Sequence, residues 1–164
     1  MIEEIALVVN GRPTTARVEP RRLLADVLRD ELRLPGTHVA CEYGVCGACT
    51  VLLDDEPVRS CLMFAVQAAG RRITTVEGLG TAKHLHPLQR AFWEEPALQC
   101  GFCTPGFLLT AEHFLRTTPH PTRAEIREAL VGNICRCTGY QFIVNAIERA
   151  AAELAGEGAD GERP

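Results

Sequence analysis

Eight cysteines carry most of the chemistry this sequence offers, and they fall into two sets of four. Cys41, Cys46, Cys49 and Cys61 are spaced C-x4-C-x2-C-x11-C, and Cys100, Cys103, Cys135 and Cys137 are spaced C-x2-C-x31-C-x-C. Four thiolates per set suit either a tetrahedral zinc ion or a binuclear iron–sulfur centre. Disulfides fit less well. The opening MIEEIALVVNGR places acids where an export signal carries positive charge, and its apolar run is short. The expected compartment is the cytoplasm, where reducing conditions keep thiols free for metals.

The first set has the spacing of plant-type ferredoxins, three ligands in one loop and a distant fourth. A single zinc ion is more often held by two close pairs. Three cysteines in CEYGVCGACT, with a fourth arriving across a hairpin, suit a centre with two irons and bridging sulfides to enclose. Gly44 and Gly47 belong to the same reading, because a chain without Cβ atoms approaches inorganic sulfur closely and aims N–H groups at it. In the second set the C-x2-C pair is a common zinc motif and the C-x-C pair a less usual one, so spacing alone leaves zinc open there.

These ligands need elements to position them. Residues 2–9 are rich in Ile, Leu and Val, Asn10-Gly11 follows, and a second extended run reaches Val18, which predicts a hairpin. Leu23, Leu24, Val27, Leu28 and Leu32 predict a short helix over about 22–33, stopped by Pro35-Gly36. CTVLLDDEPVRSC reads as strand, turn and strand, and RRITTVEGL as one more strand. The second half changes to helical periodicity, with stripes beginning at Leu88, Phe107, Ile126 and Ile143. Four short helices predict a four-helix bundle. Thr104 before Pro105 is a candidate cap for the second of them, and Thr122 with Glu125 has the capping-box pattern for the third. In an up-and-down bundle the first and third connections lie at one end. Cys100 and Cys103 would there meet Cys135 and Cys137, facing the positive ends of two helices. The expected division is a sheet domain over 1–77, a linker over 78–86, a helical domain over 87–155 and a disordered tail over 156–164.

Other chemistry is scarce. The chain of 164 residues has 46% hydrophobic and 23% charged residues and a net charge of −4, as expected of a globular protein. Neither half is basic, which gives no electrostatic reason to propose nucleic acid as a partner. No run approaches the roughly 20 apolar residues of a membrane span. The five histidines show no ligand spacing with one another and read as surface or packing residues. Arg136 stands between two cysteines, where a cation would favour reduction of a neighbouring centre. There is no Ser-His-Asp set, no paired carboxylates and no phosphate-binding loop.

Taken together, CEYGVCGACTV, VEGL at 76–79, LHPLQ at 85–89, QCGFCTPG and GNICRCTGY resemble the iron–sulfur subunit of the molybdenum hydroxylases. That family includes xanthine dehydrogenase, aldehyde oxidoreductase and carbon monoxide dehydrogenase. The resemblance implies an α+β chain with a plant-type ferredoxin-like (β-grasp) domain followed by a helical domain, each with one [2Fe-2S] cluster. It implies a molybdenum-pterin site on a large partner subunit and FAD on a medium one, in a heterotrimer or a dimer of heterotrimers. Electrons would run from molybdenum to the C-terminal cluster, then the N-terminal cluster, then FAD. By position, Gln99 and Cys137 are the residues expected to approach the pterin. A free-standing two-cluster carrier and a zinc-stabilised interaction module are the competing readings.

Overall fold

The computed structural model describes residues 2–156. Among these residues five strands and five α-helices form two halves, each with its own core. β1 (Glu3–Val9) and β2 (Arg12–Val18) pair antiparallel, with Val9 opposite Arg12. Asn10 and Gly11 both take positive φ, as a tight hairpin turn matched to strand twist requires. Ile5, Leu7 and Val9 alternate inward from β1, and Ala16 and Val18 do so from β2.

β3 (Thr50–Leu53), β4 (Glu56–Arg59) and β5 (Arg72–Thr74) complete a sheet of order β2-β1-β5-β3-β4. β1 and β5 are parallel, and the other pairs are antiparallel. All four residues of β3 are buried, so it lacks the alternation of β1. The reason is tertiary: one face of β3 lies on the sheet's own core and the other meets a helix of the second half.

The helix expected over 22–33 is split. α1 (Leu24–Asp26) runs into a π-helical turn, Val27–Glu31, closed by Leu32 N–H to the Val27 carbonyl at 3.0 Å. Leu24, Val27 and Leu28 are fully buried beneath the sheet.

The second half contains α2 (Pro87–Glu94), α3 (Thr104–Thr117), α4 (Arg123–Ala129) and α5 (Gln141–Leu154). α5 buries Ile143, Val144, Ala146, Ile147, Ala150 and Ala151. This stripe at helical spacing packs on α2 and α4. His86 caps α2 by accepting from Leu88 N–H, and its Nε2 lies 3.3 Å from Glu112 on α3. Thr104 is not a cap. It is the first residue of α3, Cys103 stands at the cap position, and no side chain caps this end.

The capping box on α4 forms as its sequence predicts. Thr122 Oγ1 accepts from Glu125 N–H, and Glu125 Oε2 accepts from Thr122 N–H at 2.7 Å. Thr122→Ala is expected to lower stability by about 1 kcal/mol, a fall in Tm of about 2–4 °C by thermal unfolding. Hydrogen bonds from Thr122 hold the Glu125 carboxyl below its usual range. A depressed folded pKa stabilises above the unfolded value and is lost as pH falls through the folded one. The difference between wild type and Thr122→Ala should therefore shrink on acidification.

Among the described residues no helix is long and apolar enough to cross a membrane. Apart from Gly156, the tail expected over 156–164 lies outside the described residues.

Candidate functional site

The loop between α1 and β3 carries Cys41, Cys46 and Cys49, and Cys61 follows β4 across the β3–β4 hairpin. Pairing β3 with β4, Thr50 opposite Arg59, returns the chain so that Cys61 comes back beside Cys49. The thiols of Cys49 and Cys61 are within hydrogen-bonding reach, as are those of Cys41 and Cys46. Backbone N–H groups converge on this set. Those of Cys46, Tyr43 and Val45 point at the Cys41 sulfur, and that of Gly44 at the Cys61 sulfur. These donors bring the Cys41 thiol down to about 6, with the Cys46 N–H contributing most. Burial pushes Cys61 up to about 12, reinforced by the neighbouring Cys49.

Gly44 needs its missing Cβ. Its φ is +83°, and a Cβ there would overlap the Leu62 side chain. Gly47 has φ +75°, and a Cβ would stand 2.5 Å from the Gly132 carbonyl oxygen. The crowding at Gly47 thus comes from the helical half of the molecule.

The second set forms where the bundle topology predicts. Cys100 and Cys103 lie between α2 and α3, Cys135 and Cys137 between α4 and α5, and the two segments meet. Cys137 and Cys100 sulfurs are 3.6 Å apart, and Cys103 and Cys135 form the other pair. α3 begins directly after Cys103 and α5 directly after Tyr140, so two helix N-termini adjoin the set. Burial pushes Cys103 up to about 12. Burial also acts to raise Cys135, but donors outweigh it and hold this thiol low, Thr138 first among them. Thr138 Oγ1 donates to the Cys135 sulfur at 3.0 Å and Thr138 N–H at 3.4 Å. Cys137 is raised by its contact with Cys100. Cys135 N–H donates to the Tyr140 hydroxyl at 3.0 Å, fixing the chain between the two ligand pairs.

Each set is therefore two pairs. Two sulfurs about 2.3 Å from one tetrahedral metal stand about 3.8 Å apart, close to the Cys100–Cys137 separation. Among the described residues no three Cys, His, Asp or Glu side chains converge as the ligands of a single ion would. Two pairs per set suit a binuclear centre, one pair on each iron, and the N–H and O–H donors suit its anionic sulfurs. A zinc ion would need all four thiols drawn to one point.

The sets differ in exposure. Gln99, Cys100 and Cys137 are all exposed, at one edge of the helical half. Cys49, Cys61 and Cys135 are buried. Arg136 is exposed at the same edge as Cys137.

Several contacts at this site have no signature in the sequence. His38 Nδ1 lies 2.7 Å from the Phe102 carbonyl oxygen, and the two rings stack at 4.6 Å. Ile134 N–H donates to the Cys46 carbonyl at 2.9 Å. Each joins a loop of one cysteine set to a loop of the other. The covalent neighbours Ile134 and Cys135 thus place a ligand candidate of one set one hydrogen bond from a ligand candidate of the other.

Known proteins resemble this chain throughout. Residues 7–73 match the 2Fe-2S iron-sulfur cluster binding domain, and residues 75–148 match the [2Fe-2S] binding domain. The chain is 58% identical to the caffeine dehydrogenase subunit gamma of Pseudomonas sp. (strain CBB1), over 88% of each chain. It is 53% identical to the nicotine 6-hydroxylase small subunit of Paenarthrobacter nicotinovorans, over 92% of this chain and 91% of that one. The crystal structure of quinoline 2-oxidoreductase from Pseudomonas putida 86 contains a chain with a TM-score of 0.91 and 51% identity, covering 96% of this chain and 98% of that one.

Proposed function

The chain belongs to the family of iron–sulfur subunits of the molybdenum hydroxylases, and on that premise we propose that it relays electrons from a molybdenum-pterin site on a large partner subunit, through two [2Fe-2S] clusters, towards FAD on a medium subunit. When bound, each cluster supplies a one-electron couple. Cys41 with Cys46, and Cys49 with Cys61, would hold the two irons of the N-terminal cluster. Cys100 with Cys137, and Cys103 with Cys135, would hold those of the C-terminal cluster. The sheet half, 1–77, is read as a ferredoxin-like β-grasp domain and 87–155 as a four-helix bundle, joined by a linker over 78–86.

The observation that carries this reading is the connection Cys135–Ile134 N–H to the Cys46 carbonyl, 2.9 Å long. Electronic coupling falls off more slowly through covalent and hydrogen bonds than through empty space. Two thiol sets joined by one hydrogen bond suit a relay better than two independent structural metals. The chain's own groups do the rest. Amide and hydroxyl donors around Cys41, Cys61 and Cys135 favour the more negative, reduced state. Burial of Cys49, Cys61 and Cys135 keeps water from the inner sulfurs.

Partner surfaces flank both ends of the relay. Phe102, between Cys100 and Cys103, and Val131, Ile134 and Phe142, in the chain around Cys135 and Cys137, are exposed apolar residues. A groove of about 320 Å³ lies among Leu130, Val131, Ile134, Tyr140 and Val144. This is the face for the large subunit, with Gln99 and Cys137 nearest its pterin. At the other end Tyr43, Val45, Leu62 and Phe64 are exposed around the N-terminal thiols, the face for the FAD subunit. The complex is a heterotrimer or a dimer of heterotrimers and works in the cytoplasm. Purified from its host without denaturant, the chain should elute with a molybdenum-containing chain of much larger size in equal amount. A small, cluster-loaded species free of molybdenum would contradict the assignment.

A further inference from the structure

The carbonyl groups of Cys46 and Gly47 leave the N-terminal loop and enter the helical half. The Cys46 carbonyl accepts from Ile134 N–H at 2.9 Å, and the Gly47 carbonyl accepts from Asn133 Nδ2 at 3.3 Å. Asn133 is 2% exposed, and its Oδ1 accepts from Thr110 Oγ1 on α3 at 3.0 Å. The preceding residue is tied back as well. Arg59 donates to the Gly132 carbonyl at 2.6 Å and, with its other terminal nitrogen, to Thr50 Oγ1 at 2.7 Å. Thr50 in turn donates from its N–H and its hydroxyl to the Gly47 carbonyl. Residues 132–134 therefore form a strap, held from both halves, across the peptide units that follow Cys46.

Every peptide bond among the described residues is trans. In a trans peptide the C=O and the next N–H point in opposite directions. Turning the Cys46 and Gly47 carbonyls to the strap turns the Gly47 and Ala48 N–H groups away from it. Both residues are buried, so these donors do not face water. An N–H left unpaired in the interior is costly, whereas one facing an anionic sulfur is satisfied.

We propose that Asn133, a residue of the helical half, is a positioning residue for the N-terminal cluster: with the strap it aims the Gly47 and Ala48 N–H groups at the sulfur atoms of that site and so raises its reduction potential. The helical half thus tunes the cluster of the other half, and the downhill step between the two clusters depends on the contact between them. This rests on the two-cluster reading given above.

The test is a reductive titration of the assembled enzyme followed by EPR, for wild type, Asn133→Leu and Thr110→Val. Asn133→Leu keeps the branching and heavy-atom count of the side chain, though not its volume, and removes both hydrogen bonds. Thr110→Val frees the Asn133 amide without touching the loop. The signal that disappears in Cys46→Ser is the N-terminal one. Its midpoint should move to more negative potential in both variants, further in Asn133→Leu, while the other signal stays in place and iron per chain is unchanged. A role in packing alone would lower Tm and leave the midpoint where it is, and that result, or equal shifts of both signals, would overturn the proposal. If Asn133→Leu does not fold, Thr110→Val decides. Wild-type protein without iron would instead remove the two-cluster premise, and this proposal with it.

Discussion

Cys137→Ser is expected to erase the C-terminal cluster signal, to halve the bound iron and to slow substrate-driven reduction of the terminal acceptor by more than about 100-fold. The size of the effect follows from position. Cys137 lies 3.6 Å from Cys100 on an exposed edge, and in the proposed relay its loss would remove one ligand of the iron nearest the molybdenum subunit. A hydroxyl is a poorer ligand than a thiolate for iron bridged by sulfide. The N-terminal signal should survive, because the strap that grips the Cys46 loop ends at Ile134, before Cys135 and Cys137. EPR with an iron count on the same sample reads both outcomes. Loss of both signals from a folded chain would show that the two sites are not independent. Cys46→Ser should do the reverse, losing the N-terminal signal and blocking delivery to FAD.

Gly106→Val is expected to destabilise the chain by about 3 kcal/mol, a fall in Tm of about 6–12 °C. Gly106 is buried in the first turn of α3, and a Cβ there would overlap the Gly47 carbonyl oxygen and press on Asn133 Nδ2. Neither neighbour has room to yield, since the Gly47 carbonyl is fixed by Thr50 and Asn133 by Thr110. The branched side chain must therefore push the two halves apart at the point where their cysteine loops meet. Thermal unfolding gives the stability, and weakened magnetic coupling between the reduced clusters would report their separation.

Much of this site is legible in the sequence because its signals are local. The Asn10-Gly11 turn, the Thr122–Glu125 box and the stripe from Ile143 to Ala150 each lie within a few residues of chain, and the cysteines divide into two sets by spacing alone. Local sequence also places Cys100 near Cys137, since helix count and connection order bring the two segments to one end. What escapes is what depends on two distant segments meeting. β3 shows no alternation because its second face is covered by α3, which no pattern within Thr50–Leu53 reveals. Asn133 has no role of its own in the sequence pattern, and one emerges only when Gly47, 86 positions away, is placed against it. His38 reads as a surface or packing histidine, and nothing near it in the sequence names Phe102 as the ring it stacks on. Gly47 reads as a glycine that lets the loop approach sulfur, and its buried contact with Gly132 appears only when the halves are assembled. Thr104 reads as a cap, yet the helix begins one residue earlier because Cys103 is held beside Cys135.

The most direct test of the relay is low-temperature EPR of the dithionite-reduced protein, with iron and acid-labile sulfide counted on the same sample. Two distinguishable [2Fe-2S] signals with about four irons and four sulfides per chain are the result this account predicts. A silent spectrum with zinc bound and no labile sulfide would contradict it, and would make the eight cysteines structural ligands of a binding module.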